Sequence, residues 1–419
     1  MAAQVNADTL ALQLERVYPK LNLMYETDDV LTSKILRKGE KVSTRNARII
    51  LRLRPGGNFG LYNPDGGNMG RGTATKYEVA QVTPVHLKEG LEVNKLVEMA
   101  TNESSKAVKN AFDEEIKNAM GELRTQIDKL ANRASTGQLG TVASVASLVI
   151  TLDADTSFPV SARFRVGSSV VVSDAGLTTN RGSMIVTSLS DAGPSITVDA
   201  VPGGTTGTDV LLLGGSTVAG GAVTSTALFG IPYHQNDATS GTWLGLTRSA
   251  TTLPEIITPV VDAGGAALTT SFVRQALNKI RQALGVKTGV DGLLWYQNPV
   301  QTAAYEEIGI IISDIVKTPN ANQEMDLFFG PKQMAGVEIL ESNNASRTRI
   351  DGLHIPSWGR VVTQEIGYFK IGDTKMFAPY TNGAPDAATL WYLTTSFQLF
   401  TENPRRGVYI KNLAIPVGY

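Results

Sequence analysis

The sequence predicts an α+β chain into which a small all-β domain is inserted, and three observations carry that prediction. Residues 46–87 alternate polar and apolar side chains on either side of a glycine-rich stretch. Residues 102–134 hold a helical apolar period over an unusual length. No lysine occurs between Lys129 and Lys279, and short β-rich runs replace the helical pattern there. With 419 residues, 42% hydrophobic and 18% charged, the chain can bury several cores.

The first element is an arm. In residues 46–54, Arg48, Ile50, Arg52 and Arg54 fall on one face of a strand and Ile49, Leu51 and Leu53 on the other. Residues 74–87 return, with Tyr77, Val79, Val85 and Leu87 expected on a common face. Between them, residues 55–73 are rich in Gly and Asn, which accept left-handed turns and exclude regular structure. A two-stranded ribbon is marginal in water, and a loop of this length tends to be functional. The arm is therefore expected to lie on something else. Residues 1–40 form a polar N-terminal arm, where Leu10, Leu14, Val17 and Leu21 share a helical spacing that Pro19 interrupts.

The long helix follows. Val108, Phe112, Ile116, Met120, Leu123, Ile127, Leu130 and Ala134 recur every three to four residues, and Lys109, Asp113, Lys117, Glu122 and Lys129 fill the opposite side. At ~1.5 Å per residue, residues 102–134 span roughly 50 Å.

After residue 137 the runs 148–152, 164–173, 184–189, 195–200 and 209–213 are short, β-rich and divided by Gly, Asp, Asn and Pro, which suggests a small β-barrel or sandwich over 138–216. From about residue 226 helices alternate with apolar strands. Residues 269–284 read as a helix, 292–296 as a buried strand, and 299–316 as a helix with Pro299 in its first turn. Short strands are expected at 325–329, 337–340 and 353–355. Two longer ones, 389–402 and 407–415, close the chain around Asn403 and Pro404, with Trp391, Leu393, Phe397 and Leu399 pointing to the core.

Chemistry is sparse. The chain lacks cysteine, and its three histidines, His86, His234 and His354, are far apart in sequence. His234 is expected to fix a loop by hydrogen bonding. The glycines of the tip precede a strand and lack the Lys-Thr of a phosphate loop, and no Gly-x-Ser-x-Gly elbow occurs. Asp113, Glu114, Glu115, Glu306 and Glu307 read as solvated helix faces. No catalytic, cofactor-binding or metal-ligating residue is assigned, and an enzyme is not expected. A net charge of −1 gives no general pull toward nucleic acid or anionic membrane. No apolar run reaches the ~18 residues of a membrane span, and the start does not resemble a secretory signal.

The strongest charge signal is the stripe Arg45, Arg48, Arg52 and Arg54. It reads as a solvated strand face, as a nucleic-acid contact, or as a clasp on acidic groups of a neighbouring copy, namely Glu89, Glu92 or Glu98. Phe59, Tyr62 and Arg71 at the tip join the expected inter-subunit contacts.

Arm, long helix, β-insertion and α/β region, in that order, resemble the major capsid protein of tailed bacteriophages, the Hong Kong 97 type fold. Three stretches add to the resemblance. Ala227-Leu228-Phe229-Gly230-Ile231 followed by Gly245-Leu246-Thr247-Arg248-Ser249 is similar to the family's lead into its axial domain. Leu293-Leu294-Trp295-Tyr296-Gln297-Asn298-Pro299-Val300-Gln301 resembles its strand-to-helix step. Gln398-Leu399-Phe400-Thr401-Glu402-Asn403-Pro404-Arg405-Arg406-Gly407 with Ile410-Lys411-Asn412-Leu413-Ala414 resembles its closing strands.

The resemblance implies an N-terminal arm at 1–40, an E-loop hairpin at 41–87, a peripheral domain with spine helix at 88–137, an inserted β-domain at 138–216, a mainly axial domain at 217–388 and closing strands at 389–419. It implies a structural protein that forms hexamers and pentamers of an icosahedral shell around double-stranded DNA, which it contacts weakly. The expected partners are a separate scaffolding protein, a portal at one vertex and a decoration protein, with no membrane and no cofactor. The expected location is the virion, after assembly in the host cytoplasm. Some relatives cross-link an E-loop lysine to a neighbour's asparagine; Lys38, Lys41 and Lys76 lie in or near this arm, but no asparagine or glutamate matches, so no cross-link is expected. The alternatives are a cellular nanocompartment (encapsulin-like) shell protein, and a β-rich carbohydrate-binding or adhesion protein built on residues 138–216.

Overall fold

The computed structural model describes residues 30–35, 47–61, 70–94, 107–155, 157–219, 222–224, 227–284, 291–315, 333–370, 377, 380–381, 384–385 and 388–416. The apolar spacing from Leu10 to Leu21, the strand expected at 325–329, and Arg45, Tyr62 and Glu98 lie outside the described residues.

Helix α1 (Val30–Lys34) leads to strand β1 (Ala47–Arg54), which alternates as its residues dictate: Ile49, Leu51 and Leu53 turn inward while Arg48, Ile50 and Arg52 turn outward. It pairs antiparallel with β2 (Lys76–Val82), Ile50 opposite Val79 and Arg52 opposite Tyr77. The returning limb is not one strand, and this corrects the common face expected for Tyr77, Val79, Val85 and Leu87. Pro84 has no N–H to give to a ladder, and the chain changes sheets there. Strand β3 (Val85–Asn94) leaves the hairpin and pairs with a closing strand of the chain.

The long helix α2 (Ala107–Ala131) has 25 residues, about 37 Å at ~1.5 Å each. Ala119, Leu123, Ile127, Leu130 and Ala131 are buried. Its last turn tightens before the expected Ala134: Asn132 and Arg133 donate to the carbonyls of Lys129 and Leu130, three residues back. Asp128, wholly buried, accepts from the backbone N–H of Leu31 at 3.0 Å and of Thr32 at 3.2 Å, tying α1 to α2.

Strands β4 (Gln138–Ala146) and β5 (Val149–Leu152), helix α3 (Val160–Arg163), and strands β6 (Ser169–Ser173), β7 (Asn180–Ser190), β8 (Ser195–Val198) and β9 (Val210–Leu213) follow. The strands close into a barrel in the order β4-β5-β8-β7-β6-β9. Val142, Ile150, Val170, Val172, Met184, Val186, Ile196 and Leu211 fill its interior, each contributed by a strand that alternates inward and outward. The run expected as one strand at 164–173 divides, because its start is the end of α3 and only Ser169–Ser173 enters the barrel.

Besides short hairpins and 3-10 turns, the elements that follow are α4 (Ile231–His234), β10 (Val260–Asp262), α5 (Thr270–Leu284), β11 (Leu293–Gln297), α6 (Pro299–Ile315), β12 (Gln333–Met334), β13 (Val337–Glu341), β14 (Ile350–His354), β15 (Trp358–Tyr368), β16 (Ala388–Thr401) and β17 (Val408–Lys411). A six-stranded sheet runs β10-β17-β14-β11-β13-β12, and a three-stranded sheet runs β15-β16-β3.

Strand β11 explains how the layers join, because all five of its residues are buried and successive side chains face opposite ways. Leu293 and Trp295 pack with Val273, Ala276 and Ile280 of α5. Leu294 and Tyr296 pack with Leu123, Ile127 and Ala131 of α2 and with Leu393, Phe397 and Leu399 of β16. The Tyr296 hydroxyl accepts from Asn132 at 2.8 Å, which gives the buried phenol a partner just past the end of α2.

Candidate assembly surface

The hairpin's inner face rests on its own chain. Leu51, Ala80 and Val82 pack with Trp243, Leu244, Leu246, Leu253, Ile256, Val361 and Phe400. Gln81 donates its backbone N–H to Leu244 at 2.8 Å. At the outer end of β1, Arg54 forms an ion pair with Glu255 and donates to the Thr252 carbonyl at 3.3 Å. Burial pushes the Glu255 carboxyl up, but the hydrogen bond and charge of Arg54 outweigh it and hold the group below its usual range. The arm's support among the described residues is thus intramolecular, on the segment around Trp243 and Glu255, where the sequence led to the expectation that it lies on something else.

The outer face is different. Ile50 is 72% exposed, Tyr77 56% and Val79 44%, and Arg48 and Arg52 flank them in the open. Toward the tip, Phe59 and Leu61 are fully exposed beyond the bridge that joins Gly57 to Thr73. Arg71 is exposed as well. Apolar side chains gathered on one face of a ribbon and rimmed by arginine make this face the candidate assembly surface.

Of the expected acidic partners, Glu92 is exposed on β3. Glu89 is engaged within the chain: Arg165 of the barrel donates to it at 2.6 Å and lies 3.0 Å from Glu122 of α2. Arg165 therefore braces β3, α2 and the barrel together. Neither Arg165 nor Glu255 was singled out in the sequence, because each finds its partner only through long-range folding.

His234 is wholly buried and serves structure. Trp243 Nε1 donates to its Nδ1 at 3.2 Å, and its Nε2 lies 3.2 Å from the Leu399 carbonyl, which assigns the proton to Nε2. Burial, aided by the nearby Arg248 charge and opposed by the Leu399 carbonyl, pushes its pKa down to about 3, so the ring is neutral. This is the loop-fixing role expected of it. His354 is likewise buried, its Nδ1 2.8 Å from Ser357 Oγ. Among the described residues no group of three or more His, Asp or Glu side chains converges as a metal site.

No family model matches the chain. No curated protein matches it either. Among solved structures it is similar to the Cyanophage A-1(L) capsid asymmetric unit at 12% identity, over 96% of this chain and 97% of that one, with a TM-score of 0.58. The chain has the Hong Kong 97 type fold. Weaker likenesses run to the capsid of an empty GTA particle (9% identity, 99% of each chain, TM-score 0.48) and to the SrpI encapsulin of Synechococcus elongatus PCC 7942 (8% identity, 98% of this chain and 97% of that one, TM-score 0.48). That likeness runs along almost the whole chain and is not confined to one of its regions.

Proposed function

We propose that many copies of this chain close into the icosahedral head of a tailed bacteriophage, as hexamers and pentamers around double-stranded DNA. The observation that carries this reading is the likeness in fold to a capsid subunit along 96% of the chain at a TM-score of 0.58. A hairpin whose outer face leaves Ile50, Tyr77 and Val79 uncovered supports it. A glycan-binding role for the barrel alone would leave that hairpin and α2 without a purpose.

In this reading residues 41–87 are the E-loop, 88–137 the peripheral domain with α2 as spine, 138–216 an insertion, 217–388 mainly the axial domain and 389–419 the closing strands. The role is structural, not enzymatic. The location is the virion, following assembly in the host cytoplasm on a separate scaffolding protein, with a portal at one vertex and a decoration protein outside. A net charge of −1 suits an inner wall that touches DNA only weakly.

Arms that overlap neighbouring subunits enlarge each interface beyond the ~1,600 Å² of an ordinary one. In a chain without cysteine, that overlap replaces covalent bridging as the source of shell strength. Electron micrographs of the protein co-expressed with its scaffold test the proposal. Uniform closed particles that package DNA when the full set of head proteins is present support it. A protein that stays monomeric, or particles that hold protein cargo and never DNA, would overturn it.

A further inference from the structure

The sheet β15-β16-β3 ends on β3, whose outer edge meets no backbone donor or acceptor among the described residues. A free edge of this kind is a template for a further strand, and chains commonly blunt it with a proline, a bulge or a short length. Strand β3 has none of these. It runs for ten residues without proline, and its pairing with β16 keeps one register from Val85 opposite Phe397 to Asn94 opposite Ala388.

What guards the edge is charge. Leu87 and Leu91 pack on the core that α2 shares, while His86, Lys88, Gly90 and Glu92 are exposed on the other face. Glu89, on the covered side, is already taken by Arg165. Lysine and glutamate on an edge repel most registers of a second strand, yet here they suit one register of the strand with itself. When two copies of β3 meet antiparallel about a two-fold axis, residues equally far from the axis lie opposite each other. An axis at Gly90 sets Lys88 of each copy opposite Glu92 of the other, on the open face, with an overlap from His86 to Asn94. An axis at Lys88, Glu89 or Glu92 places like charges face to face. An axis at Leu87 or Leu91 gives neither exposed charge an opposite partner. Gly90 itself brings no side chain to the axis; a Cβ there would meet the ring of Tyr392 at 3.2 Å.

We propose that β3 pairs antiparallel with β3 of a second copy about a two-fold axis at Gly90, joining their sheets into one continuous sheet. Main-chain hydrogen bonds hold the copies together, and the two Lys88–Glu92 pairs fix the register. Glu92 thereby gains a partner other than the arginine stripe. The contact rests on the shell reading for its place, which is between subunits of adjoining capsomers; the pairing itself follows from the edge.

The chain has no cysteine, so Lys88→Cys/Glu92→Cys supplies its only thiols. Within one copy they stand about 13 Å apart along the strand, too far to bridge. Across the two-fold axis their Cα atoms lie about 5 Å apart, within reach of a disulfide. Oxidation of particles, and of the concentrated unassembled full chain, is expected to give a dimer on a non-reducing denaturing gel and nothing larger. Charge reversal gives a second readout: Lys88→Glu and Glu92→Lys each lower particle yield about tenfold, and the combined swap restores it, which a local role for either residue would not do. Particles whose double-cysteine variant stays monomeric or forms a ladder beyond the dimer, or single reversals that assemble like wild type, overturn the pairing and leave the shell standing. Wild-type protein that forms no particles overturns the shell instead; the oxidised dimer of the concentrated chain then decides the pairing, which stands if the dimer is present and falls if it is absent.

Discussion

Ile50 and Val79 face each other across the hairpin, and both point away from the core that their chain neighbours Leu51 and Ala80 enter. The alternation of a strand separates the two faces residue by residue: one holds the hairpin on its own chain, and the other is exposed. In the proposed shell the exposed face meets a partner. Replacing Ile50 or Val79 by Asp should therefore leave the unassembled protein within ~0.5 kcal/mol of wild type while particle yield falls sharply. Thermal melting and sedimentation of the same preparations read the two effects separately.

The arginines of β1 divide in the same way. Reversing Arg48 and Arg52 to Glu should block closed particles and leave the monomer folded, because both are exposed on the outer face. Arg54→Glu should differ, since it places like charge beside Glu255 in the same chain. For that variant hydrogen exchange should quicken in β1 and β2 of the unassembled protein; for the Arg48 and Arg52 reversal it should not.

Gly230 passes over the end of α2 so closely that a Cβ there would come within 2.1 Å of the Arg133 carbonyl and 2.4 Å of the Ala131 carbonyl. Both obstacles are backbone, so neither can rotate aside. Gly230→Ala should destabilise the chain by more than ~2 kcal/mol, seen as a lower urea midpoint.

His234 makes stability depend on pH in a calculable direction. Its pKa is about 3 in the fold against about 6.5 in an unfolded chain. Between those values the unfolded state binds the extra proton, so stability rises with pH. The contribution is complete above about pH 6.5 and is lost, by up to about 1.4 kcal/mol per pH unit, as pH falls toward 3. Urea midpoints from pH 4 to 7 should show a shallower slope in His234→Gln than in wild type. Parallel slopes would contradict the assignment.

Much of this was legible in the sequence, for reasons that particular residues make plain. Strand β1 could be read because Arg48, Arg52 and Arg54 share one face while Ile49, Leu51 and Leu53 share the other, and α5 and α6 because their apolar period is unbroken and Pro299 marks a first turn. Strand β15 could not. Gly359, Gln364, Glu365 and Gly367 interrupt its pattern, and it forms because β16 supplies a ladder beside it, with the register shifting near Gln364. Strand β4 is illegible for a similar reason, since Gly140, Ala143 and Ser144 are poor strand formers that barrel closure holds in place.

The candidate assembly surface is only half legible. The outward arginines could be named, but Arg54 finds Glu255 across 201 residues and Arg165 finds Glu89 across 76. Such pairings depend on packing that no local pattern encodes, so the sequence could not tell which charges the chain keeps for itself. The sheet change at Pro84 was available in principle, because a residue without an N–H is a signal for a break in a ladder.

A reconstruction of the assembled particle at side-chain resolution tests the central claim most directly. The account predicts a closed shell in which Ile50, Tyr77 and Val79 of each hairpin are buried against an adjoining copy while Leu51 and Ala80 stay packed on their own chain. A closed shell in which that outer face remains in solvent, or a protein that forms no shell with its scaffold, would contradict it.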